Sequence, residues 1–374
     1  MVDGTGPVLG IGVIGVGDVA QRDYLPEFGR LREKARLVAV SSRTQHRARS
    51  VAEEFGADRW TTDWREVLAA DVDLILNLTP IGAHGEITRA ALEAGKHVYS
   101  EKPLAATPAQ GQELAELAEK QGCTLVAGPS VALFPQVVDA ARVMAAGQLG
   151  RVHSFRSQVY AGVPPWAGYD GDPHPFFAAD GGPLRDMGVY PLHALTALLG
   201  PVVSVSAMSR RTRTSFTPNE GPFAGVSIPV EADDDWALLV RTRSGATGVV
   251  QVNFCAREAA APELELQGEL GTVALSLLDV AQPLRVLAAD SAEWCEVPVR
   301  SPRDGGPDHL VGVEHLIECV MKDRVPLLSA EHAIHVLDVL DAAQSASRSG
   351  RTVEVTSDFD WNNPVDKEDK EGRS

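Results

Sequence analysis

The sequence predicts an α/β fold with an N-terminal doubly wound parallel sheet and a C-terminal α+β domain that holds a large, mostly antiparallel sheet. Three observations predict this fold. Apolar strands alternate with helical segments over the first third of the chain, and a glycine-rich turn follows the first strand. Later segments have strand patterns with no helices between them. A length of 374 residues also favours two domains over a single core.

The N-terminal elements are bounded by turn and capping residues. Two predicted helices end at a glycine, Gly95 and Gly122, which readily adopts the left-handed conformation that closes a helix. The predicted strands are Leu9–Gly15, Arg36–Ser41, Val72–Leu78, Lys96–Ser100 and Thr124–Ala127. The predicted helices are Val19–Lys34, Gln45–Phe55, Glu86–Ala94 and Pro108–Gln121. Alternating strands and helices form βαβ units, so we expect the strands to pair in parallel.

The pattern changes after about Gly128, where we place the domain boundary. The later strands alternate apolar and polar residues, which is typical of an antiparallel sheet with one covered face. These strands are Val152–Tyr160, Val202–Met208, Trp236–Thr242, Thr247–Phe254, Glu263–Gly268 and Gly271–Leu277, and the helices are Phe134–Ala146, Leu310–Lys322 and Ala330–Ser347. We therefore divide the chain into domains at 1–128 and 129–357, with a charged, disordered tail at 358–374.

Composition excludes several classes of function. The formal net charge of -17 argues against a nucleic-acid partner, and a short basic stretch at 210–213 is interpreted as a solvated loop. The N-terminal residues lack the apolar segment of a signal peptide or membrane span, so we expect a cytoplasmic protein without a membrane partner. Four cysteines without a CxxC pair favour reduced thiols, and we expect no metal site.

A GxGxxA turn, formed by Gly15, Gly17 and Ala20, lies between the first strand and the first helix. In such a turn the first glycine allows the tight bend, the second lets a pyrophosphate approach the backbone, and the third small residue lets helix and strand pack. The N–H groups at the start of the helix, from Asp18 and Val19, would face the phosphates. The sequence therefore predicts a Rossmann domain that binds a nicotinamide dinucleotide.

The end of the second strand indicates which dinucleotide fits. An acidic residue there would bond the ribose hydroxyls of NAD, but the strand is followed by Ser42 and Arg43. A guanidinium can hold a 2′-phosphate through two hydrogen bonds. We therefore predict NADP as the preferred cofactor. If Arg43 is instead a surface residue, or stacks on the adenine, NAD remains possible.

Glu101, Lys102 and Pro103 directly follow a strand of the parallel sheet. The carboxyl ends of such strands face the ligand crevice, where a lysine could act as an acid or base or could guide a carbonyl oxygen. Without other information, Glu101 and Lys102 would be an ordinary surface ion pair.

Four motifs together resemble the Gfo/Idh/MocA oxidoreductase family. They are the GxGxxA turn, residues 91–98, the Glu-Lys-Pro motif at 101–103 and residues 181–190. The resemblance extends from about Leu9 to the last predicted helix. It implies that Lys102 lies in the active site after an often cis Lys-Pro bond. It also implies that the residues beside the cofactor include Thr79, Pro80, His84 and Glu101.

A second group of candidate residues lies in the last of these motifs. Asp186, Tyr190 and His193 would share one face of a helix that begins near Pro191. Many family members have a catalytic histidine where this chain has Tyr190. A tyrosine resembles the glucose–fructose oxidoreductase and dihydrodiol dehydrogenase branch, which favours NADP. The alternatives are that Asp186 caps a helix and that His193 is an ordinary buried histidine.

The resemblance implies hydride transfer between the nicotinamide and a secondary alcohol of a sugar, cyclitol or diol, with Lys102, Tyr190, Asp186 and His193 as catalytic candidates. Trp166 and Tyr169 precede the last motif and suit polyol binding, although they could instead pack a domain junction or an oligomer interface. Relatives also include enzymes that eliminate glycosides with retained NAD, and non-catalytic regulators, so both remain alternatives. The resemblance also implies dimers formed through the exposed face of the second-domain sheet, so we expect a homodimer or homotetramer.

Overall fold

The computed structural model describes residues 8–160, 162–166, 169–299 and 306–361. The strands are β1 (Leu9–Ile14), β2 (Ala35–Ser41), β3 (Arg59–Thr61), β4 (Leu74–Asn77), β5 (His97–Ser100), β6 (Leu125–Ala127), β7 (Val152–Tyr160), β8 (Val202–Arg210), β9 (Ser215–Phe216), β10 (Ile228–Pro229), β11 (Asp235–Thr242), β12 (Thr247–Asn253), β13 (Leu264–Gly268), β14 (Gly271–Leu275), β15 (Leu284–Ala288), β16 (Cys295–Val297) and β17 (Val353–Glu354). The α-helices are α1 (Gln45–Phe55), α2 (Trp64–Leu68), α3 (Ile81–Glu93), α4 (Pro108–Gln121), α5 (Pro135–Ala145), α6 (His174–Phe177), α7 (Gly182–Asp186), α8 (Val189–Leu199), α9 (Leu310–Lys322) and α10 (Ala330–Ser349).

The chain divides into two units. The first contains the described residues up to Ser130 together with Asp308–Ile334, and the second contains those of Val131–Pro307 and from His335 onward. Helix α9 therefore lies in the first unit, where it contacts β5 and β6, although the sequence division assigned it to the second domain. The spacing of apolar residues indicates that such a helix is amphipathic, but it does not indicate which sheet the helix packs against.

The first unit is built on a parallel sheet. Within the described residues its six strands lie in the order β3-β2-β1-β4-β5-β6, and every neighbouring pair is parallel. The chain reverses its direction of winding between β1 and β4, so the sheet is doubly wound. The predicted fold of this unit is confirmed.

The register of the sheet aligns the ends of its strands. Ile14 is paired with both Ser41 and Asn77, and Asn77 is paired in turn with Ser100. The residues that follow β1, β2, β4 and β5 therefore leave the sheet at one edge. In open α/β sheets this carboxyl edge is where ligands bind.

Two local features of the first unit differ from prediction. The segment after the glycine turn is not a regular α-helix: Ala20–Tyr24 form a π-helical turn and Leu25–Leu31 a 3-10 helix that contains Pro26. A proline has no N–H and disrupts the regular hydrogen-bonding pattern, which explains the change of helix type. The structure also contains β3 and α2, which are too short to give a periodic signal.

The second unit contains a larger sheet. Nine strands, counted over the residues that the structure describes, lie in the order β16-β15-β14-β13-β7-β12-β11-β8-β17. One pair, β7 with β12, is parallel and the other pairs are antiparallel. Alternate residues of β11 are buried, as expected for a sheet with one covered face. The predicted mostly antiparallel sheet is confirmed, and β15–β17 extend it beyond the predicted strands.

The end of the described chain is held in place. Asp358 pairs with Arg243, with a shortest distance of 2.8 Å, and the indole N–H of Trp361 donates to the carbonyl of Ala197 at 2.8 Å. These contacts involve residues 358–361, and the disorder predicted for the tail stays a prediction. Residues 362–374, the rest of that predicted tail, lie outside the described residues. In the part of the chain that the structure describes, no helix is both long and apolar enough to cross a bilayer.

Candidate active site

Gly15 lies where β1 ends and the backbone turns. Its φ of 92° falls in the left-handed region that favours glycine. A Cβ at this position would lie 2.8 Å from the amide nitrogen of Thr79, and the Gly15 N–H donates to the carbonyl of Ser41 at 3.1 Å. Because three segments converge here, a larger residue does not fit.

Gly17 has a different environment. Among the described residues, no heavy atom lies within 4 Å of the position that its Cβ would occupy. Packing therefore does not require glycine here, and the missing side chain leaves the backbone open to a ligand. Asp18 and Val19 start the next helical turn, and Ala20 is fully buried. Together with Gly15, these four residues form a turn that fits the pyrophosphate of a dinucleotide.

An exposed arginine, Arg43, lies shortly after the end of β2. The N–H of Ser42 donates to the carbonyl of Thr61 at 3.3 Å, which fixes the backbone just before Arg43. Arg43 is exposed and makes no hydrogen bond or ion pair with the rest of the described chain. A guanidinium in this position fits a phosphate group on the ribose.

A buried amide organises the loop after β4. Asn77 is fully buried, and its Nδ2 donates to the carbonyl of His84 at 3.0 Å and to the hydroxyl of Thr88 at 3.1 Å. Its Oδ1 accepts a hydrogen bond from the Thr79 hydroxyl at 2.6 Å. Thr79 is half-buried and Pro80 is exposed, so these two predicted cofactor residues lie on an accessible loop with a fixed base.

His84 is buried behind this loop. Its Nε2 lies 2.6 Å from the carbonyl oxygen of Thr79, and its Nδ1 lies 2.7 Å from that of Pro103. With an exposed fraction of 1%, the imidazole is enclosed by the protein. His84 therefore contacts the backbones of two loops, and its predicted place beside a cofactor stays a prediction.

Lys102 is half-buried at the carboxyl end of β5. Its N–H donates to Oε2 of Glu101 at 2.7 Å, and the bond between Lys102 and Pro103 is cis, as the family resemblance implied. Since His84 holds the carbonyl of Pro103, the backbone of Lys102 is anchored on both sides. The sequence identified Lys102, but not the groups that anchor it.

In the second unit, Asp186 and Tyr190 lie on separate short helices. The N–H groups of Met187 and Gly188 both donate to the carbonyl of Pro183, at 2.8 and 2.9 Å, which ends α7 at Asp186. A Cβ on Gly188 would overlap a carbonyl oxygen of α7. Helix α8 begins at Val189, so the predicted start close to Pro191 agrees with the structure. The single helical face predicted through Asp186, Tyr190 and His193 is interrupted by this break.

The burial of these side chains separates their possible roles. Asp186 is half-buried and Tyr190 is 8% exposed. Gly188 occupies the N-cap position of α8, so Asp186 is not its capping residue. Burial, together with the nearby His335, lowers the pKa of His193 from 6.5 to about 3. The imidazole of His193 is therefore buried and a weak base, which favours the interpretation of it as a structural histidine.

Two family models match the chain. A model described as the oxidoreductase family with an NAD-binding Rossmann fold matches residues 9–128, and a model of the GFO/IDH/MocA C-terminal domain matches residues 137–274. The chain belongs to the Gfo/Idh/MocA oxidoreductase family. The resemblance in the motifs is thereby confirmed, and the first unit is an NAD(P)-binding Rossmann domain.

Relatives in the Gfo/Idh/MocA family match nearly the whole chain. The scyllo-inositol 2-dehydrogenase (NAD(+)) of Bacillus subtilis (strain 168) is 26% identical over 325 residues, which cover 86% of this chain and 89% of that protein. The D-glucoside 3-dehydrogenase of Escherichia coli (strain K12) is 26% identical over 374 residues, covering 94% and 99%. A 3-ketoreductase from Actinomadura kijaniata, solved with NADP and TDP-benzene, has a TM-score of 0.74 and 25% identity, covering 91% and 98%.

The side chains of Trp166 and Tyr169 pack against other aromatic rings. The ring of Trp166 lies 5.2 Å from that of Phe176 and 6.0 Å from that of Phe254, and the ring of Tyr169 lies 5.3 Å from Phe176. Both predicted substrate residues are half-buried. This edge-to-face packing holds the two rings and leaves part of the Trp166 and Tyr169 surface accessible. Their role in substrate binding stays a prediction.

Acidic residues at 233–235 form ion pairs with the basic stretch at 210–213. The Arg213 side chain lies 3.4 Å from Asp234, and that of Arg210 lies 2.8 Å from Asp235. Across the described residues, no group of three or more His, Cys, Asp or Glu side chains could hold a metal ion. These two charged stretches therefore pair with each other.

Sequence reasoning missed Tyr24 and Tyr99. Tyr24 is fully buried, and its hydroxyl donates to Oε1 of Glu101 at 2.5 Å and lies 3.0 Å from the hydroxyl of Tyr99. Tyr24 lies in a predicted helix and Tyr99 in a predicted strand, and the hydroxyl of a buried tyrosine needs a hydrogen-bond partner. That need was the available signal, but it does not identify a partner about 75 residues away.

Proposed function

We propose that this family member catalyses hydride transfer between a nicotinamide dinucleotide and a secondary alcohol or carbonyl of a sugar, cyclitol or diol. The observation that carries the proposal is the anchoring of Lys102 on both sides, at the same sheet edge as the Gly15 and Gly17 turn. The names of the relatives support it, since they include dehydrogenases of an inositol and a glucoside.

We assign to Lys102 the role of taking or directing the proton of the substrate hydroxyl. When bound, the nicotinamide supplies or accepts the hydride at its C4. During oxidation the reacting carbon loses a hydride and its hydroxyl loses a proton, and an amine positioned by its backbone can take or direct that proton. An anchored lysine also holds its charge in a fixed place relative to the reacting oxygen.

Tyr190 and Asp186 are assigned roles in the second unit. Tyr190 lies in the first turn of α8, where it can exchange a proton with a substrate hydroxyl. Asp186, half-buried at the end of α7, can accept hydrogen bonds from sugar hydroxyls and so orient the substrate. His193 is given no catalytic role here because it is buried and because a pKa of about 3 makes its imidazole a weak base.

NADP is proposed as the preferred cofactor. Arg43 is exposed and has no ion-pair partner among the described side chains, and Ser42 beside it carries no negative charge. A 2′-phosphate would supply the missing counter-charge, whereas NAD would leave the guanidinium in water. NAD remains a usable alternative if the rest of the dinucleotide carries most of the affinity.

The decisive experiment is a panel of aldoses, cyclitols and diols, assayed with NADP and with NAD by the absorbance of the reduced nicotinamide. We expect turnover on at least one compound and a fall in kcat/KM of about 1000-fold in Lys102→Ala. Lys120→Ala changes an exposed lysine of α4 and serves as the matched control. Wild-type activity in Lys102→Ala contradicts the proposal. Cofactor binding without turnover on any compound would favour the regulator, and glycoside cleavage with retained NAD would favour elimination.

We also propose a homodimer or homotetramer formed through the open face of the large sheet. Leu239 and Val249 are directly paired across β11 and β12, and they are 56% and 38% exposed. Met208 of β8 is 81% exposed on the same face. Light scattering should give the mass of two or four chains, and Leu239→Glu should reduce it. A wild-type mass of one chain contradicts this proposal.

The cytoplasmic location also stays a prediction.

A further inference from the structure

We propose that Tyr24 is a positioning residue for Lys102 and that it acts through Glu101. Tyr24 is the last member of a buried hydroxyl chain, which we define as Ser130, Tyr99 and Tyr24. The chain ends on the carboxylate that holds the Lys102 N–H. This inference rests on the proposed function, in which Lys102 handles the substrate proton.

The direction of the hydrogen bonds follows from counting protons. A carboxylate can only accept, so the single hydroxyl proton of Tyr24 points to Oε1 of Glu101, 2.5 Å away. Burial and the Glu101 carboxylate raise the pKa of Tyr24 well above its usual value of 10.0. Tyr24 therefore keeps its proton near neutral pH and remains a donor.

The hydrogen bond between Tyr99 and Tyr24 is also donated towards Glu101. Since the proton of Tyr24 is committed to Glu101, the 3.0 Å bond between the two tyrosines must be donated by Tyr99. The Ser130 hydroxyl lies 3.2 Å from that of Tyr99, but it donates its single proton to the carbonyl of His309 at 3.3 Å. The two tyrosine hydroxyls are aligned towards the anion and polarise one another, so Tyr99 strengthens the final bond from Tyr24 to Glu101.

The surrounding backbone is shaped to hold this chain. Tyr24 closes a π-helical turn, a feature that occurs often at functional sites because it displaces the following residues. A Cβ on Gly312 of α9 would overlap the Ser130 hydroxyl, and one on Gly128 would lie 3.1 Å from the Tyr99 hydroxyl. The two glycines thus leave the space that Tyr99 and Ser130 occupy.

The link to Lys102 passes through the two oxygens of one carboxylate. Oε1 of Glu101 accepts from Tyr24, while Oε2 accepts from the Lys102 N–H at 2.7 Å. The carboxylate is 7% exposed, so water does little to hold it. Without the Tyr24 donor, Glu101 can rotate away from the Lys102 N–H, and Lys102 then samples positions that are less productive.

The test compares Tyr24→Phe with wild type, using the substrate and cofactor found in the panel. We expect kcat to fall roughly 10-fold, the scale of a lost hydrogen bond to a charged group, with KM and the dinucleotide Kd nearly unchanged. Tyr160→Phe is the matched control, since it removes a hydroxyl bonded to Gln251 at 2.8 Å in the second unit. A distorted site would change KM and Kd as well, and a loss of folded protein is separated by normalising kcat to the concentration of active sites from the dinucleotide titration.

A double-mutant cycle with Glu101→Gln tests the route. If Tyr24 acts through Glu101, then Tyr24→Phe costs less than about 3-fold in the Glu101→Gln background. Independent, multiplying effects overturn the proposal. Should Tyr24→Phe fail to fold, Tyr99→Phe removes the hydroxyl that donates to Tyr24, and kcat should fall about 2-fold with Kd unchanged.

Failure of this inference differs from failure of the proposed function. If Lys102→Ala is inactive while Tyr24→Phe keeps wild-type kcat, the positioning role is overturned and the proposed function stands. If Lys102→Ala is fully active, both are overturned, because Tyr24 would then position a lysine that takes no part in the reaction.

Discussion

Nδ1 of His84 lies 2.7 Å from the carbonyl oxygen of Pro103, which ties helix α3 to the segment that carries Lys102. Nε2 of the same ring contacts the Thr79 carbonyl. His84→Leu removes both contacts at once, so we expect the free energy of unfolding to fall by about 3 kcal/mol and kcat to fall with it. Urea unfolding and steady-state kinetics measure these changes. His46→Leu alters an exposed histidine of α1 and should change neither; equal stability of the two variants would contradict the prediction.

The two glycines of the dinucleotide turn should fail in different ways. Gly15→Ala forces a side chain into a left-handed backbone and against Thr79, so we expect it to destabilise the first unit by about 2 kcal/mol or more. Gly17→Ala meets no described neighbour within 4 Å, so its stability should stay within about 0.5 kcal/mol of wild type. Its dinucleotide Kd should rise at least about 10-fold, because the new methyl group occupies ligand space. Thermal unfolding and cofactor titration distinguish the two, and tight binding by Gly17→Ala would refute the assigned site.

Arg43 should determine the preference between the two dinucleotides. We expect Arg43→Ala to raise the Kd for NADP about 10- to 100-fold, since a hydrogen-bonded charge contributes roughly 1.5 to 3 kcal/mol, and to leave the Kd for NAD nearly unchanged. Arg49→Ala is the control, because Arg49 lies in the following helix, α1, and is already paired with Glu53 at 2.7 Å. Parallel titrations give both constants. An unchanged ratio in Arg43→Ala removes the argument for NADP.

The second unit should lose stability in mild acid. Burial lowers the pKa of His193 from 6.5 to about 3 and that of His335 from 6.5 to about 4. Between these values and pH 6.5 the unfolded chain binds protons that the folded chain does not. Stability is therefore fully present above pH 6.5 and falls as the pH is lowered towards 4, by about 2 kcal/mol per histidine at pH 5.

Urea unfolding at pH 7.5 and pH 5 measures this loss. His335→Gln cannot titrate, so the difference between the two pH values should be smaller than in wild type. His153→Gln, which changes an exposed histidine of β7, should show the wild-type difference. A full wild-type difference in His335→Gln would disprove the assignment.

The parallel sheet and its ligand edge were predictable because they depend on local signals. Gly15 and Gly17 mark the turn, and α1 and α4 have the predicted bounds because each is followed by a glycine with a positive φ, at Gly56 and Gly122. The break between α7 and α8 was less visible. It depends on the approach of Gly188 to a carbonyl of the preceding turn, which no periodic pattern reports.

The groups that support Lys102 were not predictable from local patterns. His84 was identified by resemblance, but its bonds to two carbonyl oxygens depend on how two loops meet in space. Tyr24 and Glu101 are separated by 77 positions in the chain. Motifs identify reactive side chains, whereas their supports arise from tertiary packing.

Helix α9 completes the first unit although it is encoded near the end of the chain. Arg30 pairs with Asp308 and Glu314 around it, so the nucleotide-binding unit lacks part of its core until these residues have left the ribosome. At 5 to 20 residues per second, translation from Ser130 to the end of α9 takes roughly 10 to 40 s. During that interval the nascent sheet has β5 and β6 without the helix that covers them, which makes this stage of synthesis a natural point for chaperone binding.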